Sequence, residues 1–184
     1  MRSIILTLFT AIFLTGCLAA GDTTEDKRRN IQNMRKEVLA DLYRTNPEAQ
    51  EEIRSAPGYA VFSNRNAYFV FASVGQGYGV VADNVSGAYT YMGMGALGGG
   101  LGVGIKDYRA VYIFRQRHIM ERFIDQGINI GGNADAAAKA STQGKAYGGE
   151  LLMDGIKVYQ LTESGIALQA TIQGTKFYKD PNLN

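Results

Sequence analysis

Leu14-Thr15-Gly16-Cys17 sets the chain's single cysteine at the end of a short apolar run, directly after a small residue. Thiol acylation is the chemistry that suits this arrangement. The run from Ile4 to Leu14 is preceded by Arg2 and has the basic, apolar and small-residue layout of a secretory signal. It is too short to span a bilayer, which needs about 20 apolar residues. A lipoprotein signal places cysteine at the first mature position, so Cys17 is expected to carry acyl chains and residues 1–16 to be removed. Each buried methylene of such a chain contributes about 0.8 kcal/mol, and two or more chains make a stable anchor.

Other candidate chemistry is thin. With Cys17 acylated no thiol remains for a disulfide, a redox step or a zinc-thiolate site. His118 is the only histidine, and it lies among Arg115, Arg117 and Arg122 near the start of an expected helix. These neighbours repel a metal cation, and the residue reads as surface. Gly93-Met-Gly95-Ala-Leu-Gly98 matches the letters of a dinucleotide loop, but glycines and β-type residues follow where a helix must begin. The same stretch has the small-residue spacing of membrane helix pairs, yet charges end it at Lys106-Asp107 before it can span. Acid pairs such as Glu51/Glu52 fall on expected helix surfaces. No catalytic motif, cofactor site or metal site emerges, and the reading is non-enzymatic. The formal net charge of +2 carries no signal for nucleic acid.

The basic cluster is different. Lys27, Arg28 and Arg29, with Arg35 and Lys36, follow closely after Cys17 and so come within reach of the membrane that would hold it. Anionic headgroups attract such residues by about 1 kcal/mol each near the surface. These five are the candidate lipid-contacting residues.

Most of the elements that must position them can be read from period and punctuation. Residues 18–24 are small and polar, a short tether. Ile31, Met34, Val38 and Leu42 recur at helical spacing, predicting an amphipathic helix from Glu25 to Arg44 capped by Thr23 or Thr24. Asn46 and Pro47 open a second short helix, which Ala56-Pro57-Gly58 stops. The period then becomes two. Strands are expected at Tyr59–Phe62, Ala67–Val74, Tyr78–Ala82, Gly87–Met92 and Tyr108–Phe114, with turns at Asp83-Asn84 and Ser86-Gly87. Met92 and Met94 are out of phase with Leu101, Val103 and Ile105, which predicts a bulge near Gly95–Gly98. A helix with Ile119, Met120, Phe123 and Ile124 on one face should close at Gln126-Gly127. Ala134–Ser141 suits either a helix, by alanine's propensity, or a tightly packed strand. Ile156–Leu161 and Ile166–Ile172 suggest a closing hairpin, extended by Thr175–Tyr178. The class is α+β: N-terminal helices, then a mostly antiparallel, curled sheet, barrel- or sandwich-like, with one inserted helix.

The C-terminal run Tyr159-Gln-Leu-Thr-Glu-Ser-Gly165-Ile-Ala-Leu-Gln-Ala-Thr-Ile-Gln-Gly174-Thr-Lys176 resembles the closing segment of SYLF domains, in their bacterial lipoprotein branch. Pro57-Gly58-Tyr59-Ala-Val-Phe62 is similar to the start of that family's sheet, Gly75-Gln-Gly-Tyr-Gly79 to its early glycine-rich strand, and Tyr108–Phe114 with the following helix to its centre. The resemblance covers roughly Met34 to Lys179. It implies lipid binding, partly through an N-terminal amphipathic helix. Some eukaryotic members also bind actin, which does not suit an exported bacterial protein. Many members carry a proline and a lysine before the second strand, and Ser63-Asn64-Arg65-Asn66 does not match that lysine.

The expected organisation is a signal peptide over 1–16, a lipidated tether over 17–24 and a single SYLF-like domain over 25–184. The expected function is that of a lipid-anchored envelope protein contacting anionic phospholipid, with Leu18 after the cysteine favouring the outer membrane and a periplasmic face. The alternative is an envelope scaffold whose partner is another protein.

Overall fold

A computed structural model describes residues 19–69, 72–99, 104–127, 150–153, 155–162, 165–166 and 173–184. Helix α1 (Thr24–Thr45) is the expected amphipathic helix, burying Ile31, Met34, Val38, Leu39 and Leu42. The Thr23 hydroxyl accepts from the Asp26 amide and caps its first turn. Helix α2 (Glu48–Ser55) buries Ala49 and Ile53. Pro47 already has helical dihedrals at its N-cap position, and the Asn46 carbonyl receives the Ala49 amide.

Strands β1 (Gly58–Phe69), β2 (Ala72–Asp83), β3 (Tyr89–Gly99) and β4 (Gly104–Phe114) follow, then helix α3 (Arg117–Gln126), then β5 (Glu150–Met153), β6 (Ile156–Thr162), β7 (Gly165–Ile166) and β8 (Gln173–Lys179). Every described pairing is antiparallel, in the order β5-β6-β4-β1-β2-β3-β8, with β7 beside β6.

Three strand expectations are corrected. Ser63-Asn64-Arg65-Asn66 does not interrupt β1, and the chain reverses between Phe69 and Ala72 instead. The polar run is tolerated because Ser63 and Arg65 stand on the outer face of the strand, while Asn64 is buried and donates to the Tyr108 hydroxyl at 2.6 Å. There is no bulge at Gly95–Gly98: β3 pairs continuously with β2 and β8 and ends at Gly99, and residues 100–103, where Leu101 and Val103 fall, lie outside the described residues. Thr175–Tyr178 does not extend the β6–β7 hairpin but pairs with β3 at the far edge of the sheet. The expectations for 128–149 and 167–172 lie outside the described residues.

Alternation sorts the sheet's side chains into two cores. On one face Tyr59, Val61, Val80, Ala82, Val111, Ile113, Tyr159 and Leu161 pack beneath α1 and α2. On the other, Phe62, Met92, Met94, Tyr112, Phe114 and Phe177 surround Ile119, Met120 and Phe123 of α3. The second core shows that the sheet is strongly rolled. A flat sheet would hold β4 and β8 four strand spacings, about 19 Å, apart. The Tyr112 and Phe177 ring centroids are 5.4 Å apart, and Phe62 lies 4.8 Å from Phe177. The roll is open, since β5 and β8 end the described ladder. Helix α3 lies in its concave side and stops at Gly127, whose φ is +63°. A Cβ there would strike the Phe177 carbonyl oxygen, so glycine is required both for the dihedral and for the close approach.

Candidate functional site

Cys17 and Leu18 lie outside the described residues. Ala19 begins them, and it is buried in one cluster with Ile31 and Leu183. The Asn30 amide donates to the Ala20 carbonyl, and Thr23 caps the helix. Of residues 19–23, read from sequence as part of a short tether, Ala19 is thus buried on the domain, and exposed Ala20 and Thr23 bond to α1. The C-terminal tail seats beside them. Arg28 Nε donates to the Leu183 carbonyl at 2.9 Å, and the Asn184 side chain both accepts from the Tyr91 amide and donates to its carbonyl.

The five basic residues on α1 divide between two faces. Arg28 and Arg35 turn toward the sheet. The Arg28 guanidinium lies 5.7 Å from the Tyr91 ring centroid, and that of Arg35 lies 5.2 Å from the Tyr89 ring. Arg35 also donates to Gln32 at 2.8 Å and to the Tyr59 hydroxyl. Burial pushes the Tyr59 phenol up, and the Arg35 charge and hydrogen bond partly offset this. Arg29 is exposed and pairs with Asp26 on its own helix. Exposed Lys36 and half-buried Lys27 have no side-chain partner among the described residues. The division was legible only in part: positions 28 and 35 stand three before and four after buried Ile31, hence on its stripe, but half-buried Lys27, four before it, shares that spacing.

The other polar cluster escaped the sequence reading because its members are far apart in the chain. Glu52 of α2 accepts from Lys157 Nζ at 2.6 Å and from the Tyr159 hydroxyl at 2.8 Å, both on β6. Beside them Ser55, Pro57 and Arg115 line a shallow cleft of about 220 Å³. Glu52 already receives an ammonium and a hydroxyl, so it acts as a strut between helix and sheet. Neighbouring Glu51 is held below the usual carboxylate range by the Arg54 hydrogen bond. His118 is exposed on α3. Among the described residues no three His, Cys, Asp or Glu side chains are grouped to hold a metal ion, and no helix is long and apolar enough to cross a membrane.

The comparisons with known proteins are sparse. No family model matches the chain. A curated protein from Aeromonas veronii named Beta cell expansion factor A is 32% identical over 163 residues. The match covers 88% of this chain and 60% of that protein, so the chain spans about three-fifths of its relative's length.

Proposed function

We propose that this chain is an envelope lipoprotein, held by acyl chains on Cys17, whose non-catalytic domain contacts anionic phospholipid. The observation that carries the reading is the burial of Ala19 against α1 and the C-terminal tail. Only Leu18 separates Ala19 from Cys17, so at most about 7 Å of chain lies between the anchor and the folded domain. An acylated Cys17 would hold the first turns of α1 flush with the headgroups. Lys27, Arg29 and Lys36 are the residues placed to meet them, because Arg28 and Arg35 are engaged with the sheet. The resemblance to SYLF domains points the same way, and Leu18 suits the outer membrane with the domain facing the periplasm.

The test is co-sedimentation of residues 17–184, carrying Cys17→Ser, with phosphatidylcholine vesicles and with vesicles containing phosphatidylglycerol. Binding should require the anionic lipid and weaken in high salt. Changing Lys27, Arg29 and Lys36 together to Ala should lower it by up to roughly a hundredfold, at about 1 kcal/mol per charge. Failure to bind any vesicle would overturn the reading and favour the scaffold alternative, to be pursued by cross-linking for a protein partner.

A further inference from the structure

Arg28 and Arg35 stand two helical turns apart on one side of α1, and both guanidinium groups turn to tyrosines of β3. Tyr91 and Tyr89 are alternate residues of that strand and share a face, which spaces the rings, and with them the two cations, by about 7 Å. Gln32 stands between the arginines, one turn from each. Its Oε1 accepts from Arg35 Nε at 2.8 Å, and its Nε2 donates to the Tyr91 hydroxyl at 3.2 Å. The three side chains are half-buried, and Tyr89 beside them is 46% exposed, so the seam between helix and sheet is open to solvent.

The charges in this seam are not balanced. Arg29 and Arg44 of the same helix each pair with an aspartate on it. Arg28 and Arg35 have no carboxylate within ion-pair distance among the described residues. Asp26 is taken by Arg29 and Thr23, and exposed Glu25, one turn before Arg28, makes no ion pair with it. The neutral partners leave most of the N–H donors unused: Arg28 gives Nε–H to the Leu183 carbonyl, and Arg35 gives one each to Gln32 and the Tyr59 hydroxyl. A partly desolvated cation without a counter-charge favours an anion. Two of them at this spacing define its shape. A tetrahedral oxyanion that accepts one charged hydrogen bond from each guanidinium holds the two groups up to about 8 Å apart.

We infer that Arg28, Gln32 and Arg35 form a cradle for a phosphate-type oxyanion, which bridges the two guanidinium groups beside the Tyr89 and Tyr91 rings. Free phosphate and the phosphodiester of a lipid headgroup share this chemistry, so the cradle does not rest on the membrane reading. It is also distinct from the exposed charges of Lys27, Arg29 and Lys36, which attract an anionic surface without a fixed geometry.

Residues 17–184 carrying Cys17→Ser are titrated with sodium phosphate and, at equal ionic strength, with sodium chloride, reading the arginine Nε–H resonances and the thermal midpoint. Phosphate alone should shift the Arg28 and Arg35 signals along one saturating curve and raise the midpoint, as a ligand of the folded state does. Arg28→Ala should weaken phosphate binding about tenfold, the effect of losing a charged hydrogen bond, while Arg29→Ala and Lys36→Ala leave it nearly unchanged. Gln32→Glu sets a carboxylate one turn from each arginine. It should raise the midpoint in the absence of phosphate and abolish the phosphate response, and it tests the cradle even if loss of Arg28 unfolds the protein. Equal responses to phosphate and chloride, or a phosphate response that survives Gln32→Glu, would overturn the inference. Equal losses from Arg28→Ala and Lys36→Ala would replace it with diffuse attraction along the helix. Vesicles containing phosphatidylglycerol separate the two sources. Displacement of the parent protein from them by phosphate at constant ionic strength assigns the cradle to headgroups, and binding that phosphate does not disturb assigns it to a soluble anion. A protein that binds phosphate but no vesicle would overturn the membrane reading and leave the cradle standing.

Discussion

Arg35 and Lys36 are neighbours in sequence with opposite employment. Arg35 stacks on Tyr89 and donates to Gln32 and Tyr59, whereas Lys36 is exposed. Arg35→Ala should therefore lower stability in urea by about 1–3 kcal/mol, the usual cost of losing a part-buried charged hydrogen bond. Lys36→Ala should stay within about 0.5 kcal/mol of the parent. A second residue-level expectation concerns acid. Asp83 is held well below the usual carboxylate range, first by the Ser86 side chain, then by the Ser86 and Val85 amides and Arg117. A carboxylate with a depressed folded pKa stabilises above its unfolded value, near 3.9, and loses that contribution as pH falls toward the folded one. Asp83→Asn should flatten the loss of stability below about pH 4, as read by urea midpoints at pH 7, 4 and 3. If both proteins fall equally, the turn's charge is not coupled to folding.

At the scale of elements, α3 serves as the inner core of the roll. Its Phe123 ring lies 4.8 Å from Phe177, 5.1 Å from Phe114 and 6.2 Å from both Phe62 and Tyr112. Phe123→Ala should cost about 3–5 kcal/mol in thermal or urea unfolding, because strands on both sides of it lose a shared partner. A cost below 1 kcal/mol would mean that the roll closes without the helix. Both α1 and α3 were legible, because a three- and four-residue stripe survives any tertiary arrangement and Gly127 marks a clear stop. The strands were less so. Ser63–Asn66 looks like a loop by composition, but a strand accepts polar residues wherever one face meets water and a buried amide finds a hydroxyl such as that of Tyr108. The apolar stretch around Phe69 looks like a single strand, although it spans a reversal, since turn residues announce themselves only when they are polar, glycine or proline. The strand partners were not legible at all: the placement of β8 beside β3 depends on contacts some 80 residues apart. The same limit hid the Glu52–Lys157–Tyr159 cluster, whereas the basic residues of α1 were singled out by their place in the chain without their facing.

At the scale of the whole molecule, the sheet separates two cores, one roofed by α1 and α2 and the other filled by α3. The described chain starts and finishes at the same place, since Ala19 and Leu183 share one cluster, and the carbonyls of Ala20 and Leu183 accept from Asn30 and Arg28 of the first turns of α1. A circular permutant that joins Asn184 to Ala19 through a short linker and opens at exposed Val85 should keep a cooperative thermal transition. A protein that fails to fold when cut there would show that the β2–β3 turn is needed to start the sheet. The meeting of the ends has a broader consequence. A unit that is entered and left at one point can be spliced into a longer polypeptide as a cassette, with its flanking segments kept as neighbours.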